Sequence, residues 1–198
     1  HVVYHQITDM LRDSATQDVM AQLGDQSGRA IAEAMDSQVF DLFSSFTQSI
    51  GQSEAEVTVD TILQAAATLR ANKLSGPFYC VVHPYVAYNL KKQLTYSSQT
   101  NIPALSQVGE GVLGQFTIGQ IAGVTILESG LIDIDTDGDA LGAVFAPSAI
   151  GHSMRGSISI EEQRQASARA TDLVLTAVAG ANIIQNTHGV KIFGDAGL

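Results

Sequence analysis

A glycine-rich stretch carries the first chemical signal in the sequence. Gly109, Gly111 and Gly114 match G-x-G-x-x-G, a pattern in which glycines let the backbone approach a dinucleotide phosphate. That chemistry needs a strand before the glycines and a helix after them, because the helix N-terminus meets the phosphate. Here a polar loop precedes the motif, and the strand-like stretch QFTIGQI follows it. The flanking residues therefore favour a flexible loop, and a small nucleotide-binding α/β enzyme is an alternative.

An aspartate-rich stretch carries the second signal. Asp133, Asp135, Asp137 and Gly138 form D-x-D-x-D-G, the opening of a calcium-binding loop. The twelfth position, where a bidentate Glu completes such a site, is Val144. The flanking residues also have the patterns of strands rather than helices. The stretch therefore favours a solvated hairpin turn, with a calcium-dependent binding module as an alternative.

Nucleophilic and metal-ligating residues do not form a recognisable site. The stretch 151–155 (GHSMR) resembles a nucleophile elbow, but Arg155 stands where G-x-S-x-G needs its closing glycine. Cys80, the single cysteine, lies in an apolar run. No H-x-x-x-H spacing links the scattered histidines His5, His83, His152 and His188. The sequence predicts no catalytic residue, no cofactor and no metal site.

Composition excludes several classes of function. The 198 residues include 20 acidic and 10 basic side chains, a formal charge of −10, which argues against tight binding to a nucleic-acid backbone. One cysteine excludes an internal disulfide, and no apolar run approaches the length of a membrane span. The first residues, HVVYHQ, lack both an initiator Met and the pattern of a signal peptide, so we expect a processed chain or a fragment of a longer one.

Helical periodicity identifies the element around which the chain is organised. Apolar residues recur every three or four positions over Gln26 to Ile50, which predicts one long amphipathic helix ending before Gly51. A shorter helix is predicted before it, from Thr8 or Asp9 to Leu23, and Gly51 to Glu56 is predicted to be a polar connector. Two more helices are predicted at Val59 to Lys73, with Thr58 as its cap, and at Pro84 to Leu94.

Alternation and short apolar runs predict the strands. A hairpin is expected around 116–126, and Thr171 to Ile184 is interpreted as a strand because of its β-branched content and Gly180. The residues Pro147 to Met154 are expected to form a short turn or helix. The remaining predicted strands are Val2 to Ile7, Phe78 to Val82, Leu131 to Asp135, Ala143 to Ala146, Ser157 to Glu161 and Gly189 to Phe193.

The order of these segments resembles a known family. The stretch 143–150 (AVFAPSAI), a strand and then 164–195 (RQASARATDLVLTAVAGANIIQNTHGVKIFGD) resemble the C-terminal part of the major capsid proteins of tailed bacteriophages. The upstream order agrees: AEAMD in the long helix, VTVDTILQAAATLR, FYCVVHPYVAYNLKKQL and IAGVTILES. The resemblance spans nearly the whole chain, by pattern and order rather than by an invariant motif.

The resemblance implies a fold class and a division into domains. The expected fold is the Hong Kong-type capsid fold, an α+β architecture in which a peripheral domain with a long spine helix and a β-sheet carries an inserted α/β axial domain. Residues 1–55 and 146–198 would form the discontinuous peripheral domain, and 56–145 the axial domain. The chain departs from the family at its start, where members carry an N-terminal arm and an extended loop.

The resemblance also implies a function without catalysis. The chain would be a virion protein that self-assembles into pentamers and hexamers, which form an icosahedral head around double-stranded DNA without sequence-specific binding. Scaffold, portal or decoration proteins would be its partners, with no membrane involved, and assembly would take place in the host cytoplasm. An encapsulin-like protein compartment is the alternative that shares the fold.

Two surfaces are candidates for contacts between subunits. The polar segment Thr95 to Gly114 is long for a loop and is expected at the capsomer axis. The charged residues from Glu161 to Arg169 are expected between capsomers. The candidate interface residues are Gln99, Asn101, Gln107 and Glu110 in the first segment, and Glu161, Glu162, Arg164 and Arg169 in the second.

Overall fold

The computed structural model describes residues 1–14, 19–96 and 119–197 of the chain. The helices in these ranges are α1 (Asp9–Ser14), α2 (Val19–Asp41), α3 (Val59–Ala71) and α4 (Pro84–Tyr96), with short 3-10 segments at Leu42–Ser45 and Asn186–His188. The strands in the same ranges are β1 (Val2–Thr8), β2 (Gln48–Glu56), β3 (Phe78–Val82), β4 (Gln120–Ile121), β5 (Val124–Glu128), β6 (Asp139–Phe145), β7 (Ile150–Met154), β8 (Ser159–Gln165), β9 (Ala170–Thr176), β10 (Ala179–Ile183) and β11 (Gly189–Asp195). None of these helices combines the length and the apolar composition that crossing a membrane requires.

Backbone contacts divide the chain into two compact units. Unit 1 comprises His1–Val39 and His152–Ala181, and unit 2 comprises Phe40–Gly151 and Asn182–Leu198. These boundaries differ from the predicted changes of domain after residues 55 and 145. The peripheral and axial roles of the predicted domains remain a prediction.

Unit 1 is built on an antiparallel three-stranded sheet with the strand order β1-β9-β8. Period-two alternation in β9 places Leu173 and Leu175 on one face, where they pack with Ile31 of α2 and with Ala177 in a buried cluster. Ile31 and Met35 of the apolar stripe predicted for the long helix therefore pack with this sheet, whereas Phe43 and Phe46 of that stripe belong to the core of unit 2. Both neighbours of β9 are edge strands, and every residue of β8 from 159 to 164 is exposed.

Unit 2 contains a mixed six-stranded sheet with the order β2-β11-β6-β3-β5-β4. Strands β2 and β3 run parallel to β11 and β5 respectively, and the pairs made by β6 are antiparallel. The larger core lies here and includes residues of α3 and α4. The ring of Phe43, fully buried, packs against the rings of Phe40, Phe46 and Phe145 at centroid distances of 5.5, 6.4 and 5.6 Å.

The predicted bounds of the long helix are wrong at both ends. Helix α2 already includes Val19 and continues through Gly24 without interruption. It ends at Asp41 rather than Ile50 because Ile50 pairs with Ile192 in the parallel β2–β11 ladder. The predicted polar connector after Gly51 is wrong for the same reason, since strand β2 extends to Glu56. Tertiary pairing overrides the helical periodicity here.

Other predicted elements need smaller corrections. The strand predicted at Leu131 to Asp135 is wrong, since these residues form a turn joined to β6 only by an isolated bridge between Ile134 and Ala140. Two strands, β9 and β10, replace the single strand predicted over Thr171 to Ile184. The turn or helix predicted over Pro147 to Met154 is wrong from Ile150 onward, because those residues form β7. The first predicted helix corresponds to α1 and the start of α2; residues 15–18 lie outside the described ranges.

Helix α3 confirms a prediction made from local chemistry. The side chain of Thr58 accepts a hydrogen bond from the backbone N–H of Thr61, and the Thr61 side chain accepts one from the N–H of Thr58. This capping box satisfies two donors that a helix N-terminus otherwise leaves unpaired. The predicted strand Phe78 to Val82 is observed at those residues, and α4 begins at Pro84 as predicted.

Candidate functional site

The aspartate-rich stretch forms a tight turn. One carboxylate oxygen of Asp135 accepts hydrogen bonds from the backbone N–H groups of Asp137 and Asp139, at 3.0 and 2.9 Å. The Asp135 N–H in turn donates to the Asp139 carbonyl at 2.9 Å. The Asp135 carboxylate is therefore occupied by its own backbone, as in an Asx turn. The predicted turn is present, but it does not join two strands, because Leu131 to Asp135 form no strand.

The geometry around this turn does not assemble a calcium cage. The carboxylate of Asp139 is buried and accepts hydrogen bonds from the Ser53 hydroxyl and the Glu54 N–H. Val144, at the position of the missing Glu, is fully buried in β6. Within the described ranges, no group of three or more histidine, cysteine or carboxylate side chains is placed to hold a metal ion. The hydrogen bonds of the turn hold Asp139 at the start of β6, and those of Asp139 connect it to Ser53 and Glu54 of the edge strand β2.

The histidines lie in separate places. His5 shares a hydrogen bond of 2.8 Å with Ser27, and the ring of His83 lies edge-on to that of Tyr85 at 4.9 Å. Partial burial lowers the pKa of His83. The ring nitrogen Nδ1 of His188 is 2.7 Å from the Ser148 hydroxyl. Forty positions separate the two residues, so no local sequence pattern indicates this contact.

The Ser148–His188 pair contains two parts of a nucleophilic site and lacks the third. In catalytic triads a carboxylate orients the histidine and stabilises its charged form. In the described part of the chain, no carboxylate is hydrogen-bonded to His188. Cys80 is also unsuited to chemistry, because complete burial raises the pKa of its thiol to about 12 and disfavours the reactive thiolate.

The predicted charged surface lies on the β8–β9 hairpin of unit 1. Arg164 donates two hydrogen bonds to the carboxylate of Asp9, at 2.6 and 2.7 Å, in a bidentate pair. The Asp9 N–H also donates to the carbonyl of Arg169 at 2.8 Å. The pair with Arg164 lowers the pKa of Asp9 and raises that of Arg164. The first residue of α1 is thereby tied to the hairpin at two points.

The other predicted residues of this surface are exposed. Glu161 and Glu162 follow one another on β8, so their side chains point to opposite faces of the sheet. Arg169 lies in the four-residue turn between the strands with φ of +47°, in the left-handed region. The structure therefore brings Arg164 and Arg169 together around Asp9 and places the two glutamates further along the edge strand.

Sequence reasoning missed a polar cluster on the face of this sheet opposite α2. Asp172 is only 5 % exposed, and Gln165 donates to its carboxylate at 2.6 Å. A hydrogen bond with the same carboxylate raises the pKa of Tyr4. In the strand pattern Asp172 had the appearance of an ordinary outward residue, and only the register of β1 and β8 brings these partners together.

The remaining predicted site residues cannot be placed. The four interface candidates of the polar segment are Gln99, Asn101, Gln107 and Glu110, and they lie outside the described residues. The glycines of the G-x-G-x-x-G motif also fall there. Helix α4 continues to Tyr96, so the first two residues of the polar segment Thr95 to Gly114 belong to this helix.

Comparison with known proteins identifies the family. The model of the phage capsid protein family matches residues 3–192. No curated protein sequence matches the chain. Among solved structures, that of Mycobacterium phage Che8 is similar with a TM-score of 0.80 at 19% identity, over 97% of this chain and 69% of that one.

Two further structures have the same fold. The capsid of the cyanophage P-SCSP1u is similar with a TM-score of 0.77 at 17% identity, over 98% of this chain and 71% of that one. The SrpI encapsulin of Synechococcus elongatus PCC 7942 has a TM-score of 0.73 at 9% identity, over 100% of this chain and 75% of that one. The structural likeness confirms the expected mixed helix-and-sheet capsid fold, and the family model covers nearly the whole chain. The chain therefore belongs to the phage capsid protein family and is a structural protein of the phage head.

Proposed function

We propose that this chain is the major shell subunit, many copies of which assemble as pentamers and hexamers into an icosahedral head around double-stranded DNA. The observation that carries the proposal is the family match over residues 3–192. A closed shell distributes function over repeated subunit interfaces, so it needs no catalytic cleft. The subunit acts without catalysis and without a cofactor.

The division of labour within the subunit follows the expected fold. Residues 1–55 and 146–198 form the peripheral domain, and residues 56–145 form the axial domain. The polar segment Thr95 to Gly114 contacts neighbouring subunits at the capsomer axis. The charged hairpin residues Glu161 to Arg169 contact neighbouring capsomers, and the exposure of residues 159–164 of this edge strand supports this role.

The net charge of −10 suits a container for DNA. A surface of the same sign as the phosphate backbone does not adhere to it, so the packaged polymer can slide. The DNA is therefore enclosed without sequence-specific contacts. Scaffold, portal or decoration proteins are the expected partners, and assembly takes place in the host cytoplasm before the subunits become part of the virion.

An encapsulin-like compartment is the second candidate, favoured by the similarity to the SrpI encapsulin. Expression of the full gene product followed by negative-stain microscopy tests both. Closed particles tens of nanometres across are expected for either function, because both bury repeated interfaces under closed symmetry. Nucleic acid inside particles from infected cells supports the phage head, and protein cargo supports the compartment. A gene product that stays monomeric at every concentration contradicts both.

A further inference from the structure

One face of the edge strand β8 is left uncovered. Ile160 and Glu162 lie opposite Leu175 and Leu173 on β9, so all four side chains share the face of the sheet that carries the α2 cluster. The two leucines are buried at 3 % and 5 % exposure, whereas Ile160 is 61 % exposed and Glu162 is also exposed. Ile158, just before the strand, is exposed too. We call Ile158, Ile160 and Glu162 the acidic row.

A second uncovered surface lies where α1 meets the hairpin turn. Met10 is 82 % exposed, Leu11 is also exposed, and α1 contains no buried residue. A groove of about 490 Å³ runs between Met10 and the turn residues Ala168 and Arg169. Most of the Met10 side chain and about half of the Leu11 side chain are therefore left in contact with solvent in the described fold. We call Met10, Leu11 and Arg169 the basic corner.

The charges of these surfaces lack partners within the described fold. Asp9 and Asp13 also line the groove, but Asp9 is paired with Arg164 and the carboxylate of Asp13 lies 3.9 Å from the guanidinium of Arg12. Across the described ranges, neither Glu162 nor Arg169 forms an ion pair within 4 Å. The basic corner therefore presents a cation that forms no salt bridge beside apolar side chains, although Asp9 lies close enough to interact with its charge. The acidic row presents an anion that forms no salt bridge beside apolar side chains.

The basic corner is also held in place before any contact forms. The bidentate pair between Arg164 and Asp9, and the hydrogen bond from the Asp9 N–H to the Arg169 carbonyl, fix the start of α1 against the turn. A surface fixed in advance loses less conformational entropy when a partner docks. Arg164, whose charge is already matched by Asp9, is therefore a positioning residue rather than a contact.

We propose that the basic corner of one copy docks on the acidic row of a second copy, with Arg169 facing Glu162 and Met10 against Ile160. Apolar anchors beside a complementary charged pair are the usual composition of a specific interface. The two surfaces differ, so the contact is head-to-tail, and such contacts close into rings when the rotation allows. The inference rests on the proposed function and assigns the partner of the charged hairpin.

Charge reversal with rescue tests the contact in the full gene product. The variants are Glu162→Lys, Arg169→Glu and the double variant that carries both. Glu33→Lys is the matched control, because it makes the same charge change at an exposed position of α2 that has no part in the proposed contact. The measurement is the protein concentration at which half of the subunits sediment as particles, with thermal melting of the unassembled subunit as the test of folding.

Each single reversal places like charges in contact, so we expect the half-assembly concentration to rise by at least about tenfold. The double variant restores an opposite-charge pair at every contact and should return to within about threefold of the unmodified protein, as should the Glu33→Lys control. A double variant that stays as defective as the singles overturns the inference, and so does a control that is equally defective. Failure of the unmodified protein to form particles contradicts the proposed function, and the inference with it.

Discussion

The buried carboxylate of Asp139 gives the sharpest prediction about stability. It is 1 % exposed and accepts hydrogen bonds from the Ser53 hydroxyl and, at 3.1 Å, from the N–H of Glu54. Between the pairs Gly51–Phe193 and Glu56–Asp195, strand β2 advances five positions while β11 advances two. The two hydrogen bonds therefore pin an irregular stretch of the sheet edge, in which Glu54 has a φ of +58°.

Replacing Asp139 with Ala removes both hydrogen bonds. Hydrogen bonds to a charged group contribute about 1.5–3 kcal/mol each. Both donors belong to exposed residues, so water replaces part of the loss and the lower half of the range applies. We expect the free energy of unfolding to fall by about 3 kcal/mol. Urea denaturation measures this loss, and hydrogen exchange of residues 52–55 should accelerate with it.

Asp137→Ala is the matched control, because this residue lies in the same turn but is exposed and uses only its backbone N–H. Its free energy of unfolding should change by no more than about 0.5 kcal/mol. Equal denaturation midpoints for Asp139→Ala and Asp137→Ala would refute the reasoning, since the buried carboxylate would then contribute nothing. Loss of stability without faster exchange at 52–55 would refute the pinning of the sheet edge.

Three further predictions concern the core and the hairpin. Gly189→Ala would place a Cβ 2.2 Å from a phenylalanine ring, so its melting temperature should fall, whereas Gly180→Ala, which meets open space, should melt like the parent. Cys80 should not react with a thiol reagent until denaturant unfolds the chain, because its thiol is buried and has a pKa of about 12. Rapid labelling of Cys80 in the folded protein would contradict its burial. The pKa of Asp9 is lowered in the folded protein, so its contribution to stability is present above the ordinary carboxyl pKa and is lost as pH falls through the folded pKa. In Asp9→Asn, the free energy of unfolding should therefore fall less between about pH 5 and pH 2 than in the parent. An unchanged acid profile would show that the pair with Arg164 contributes nothing.

Elements set by local chemistry were predictable from the sequence. The capping box at Thr58 and the proline at Pro84 act within a few residues of themselves, and both helices begin where predicted. The apolar run Phe78 to Val82, which lies between Pro77 and Pro84, likewise forms a buried strand at the predicted residues. For the two helix starts the deciding interaction lies within the predicted segment itself, whereas the strand also needs β5 and β6 as pairing partners.

The end of α2 could not be predicted in this way. Phe43, Phe46 and Ile50 continue the spacing of three and four, so periodicity alone extends the helix through them. In the fold, Phe43 lies in a 3-10 segment and Ile50 pairs with Ile192, which is more than a hundred residues away in the chain. An apolar residue suits a helix and a strand equally, and only the long-range partner decides.

The candidate site was predictable in composition and not in arrangement. The charged character of the hairpin follows from the residues themselves, but the pairing of Arg164 with Asp9 depends on the fold, which brings residues 155 positions apart into contact. The charge of Arg164 is thereby matched by Asp9, whereas Glu162 and Arg169, which belong to the same predicted surface, form no ion pair within 4 Å in the described ranges. The buried Asp172 was missed for the same reason, since its partners lie on the neighbouring strands.

The most direct test of the central claim is a cryo-electron microscopy reconstruction of particles formed by the full gene product. The account predicts a closed icosahedral shell in which copies of this fold occupy five-fold and six-fold positions. Particles that lack such symmetry, or a gene product that remains a monomer or dimer under every assembly condition, would contradict it.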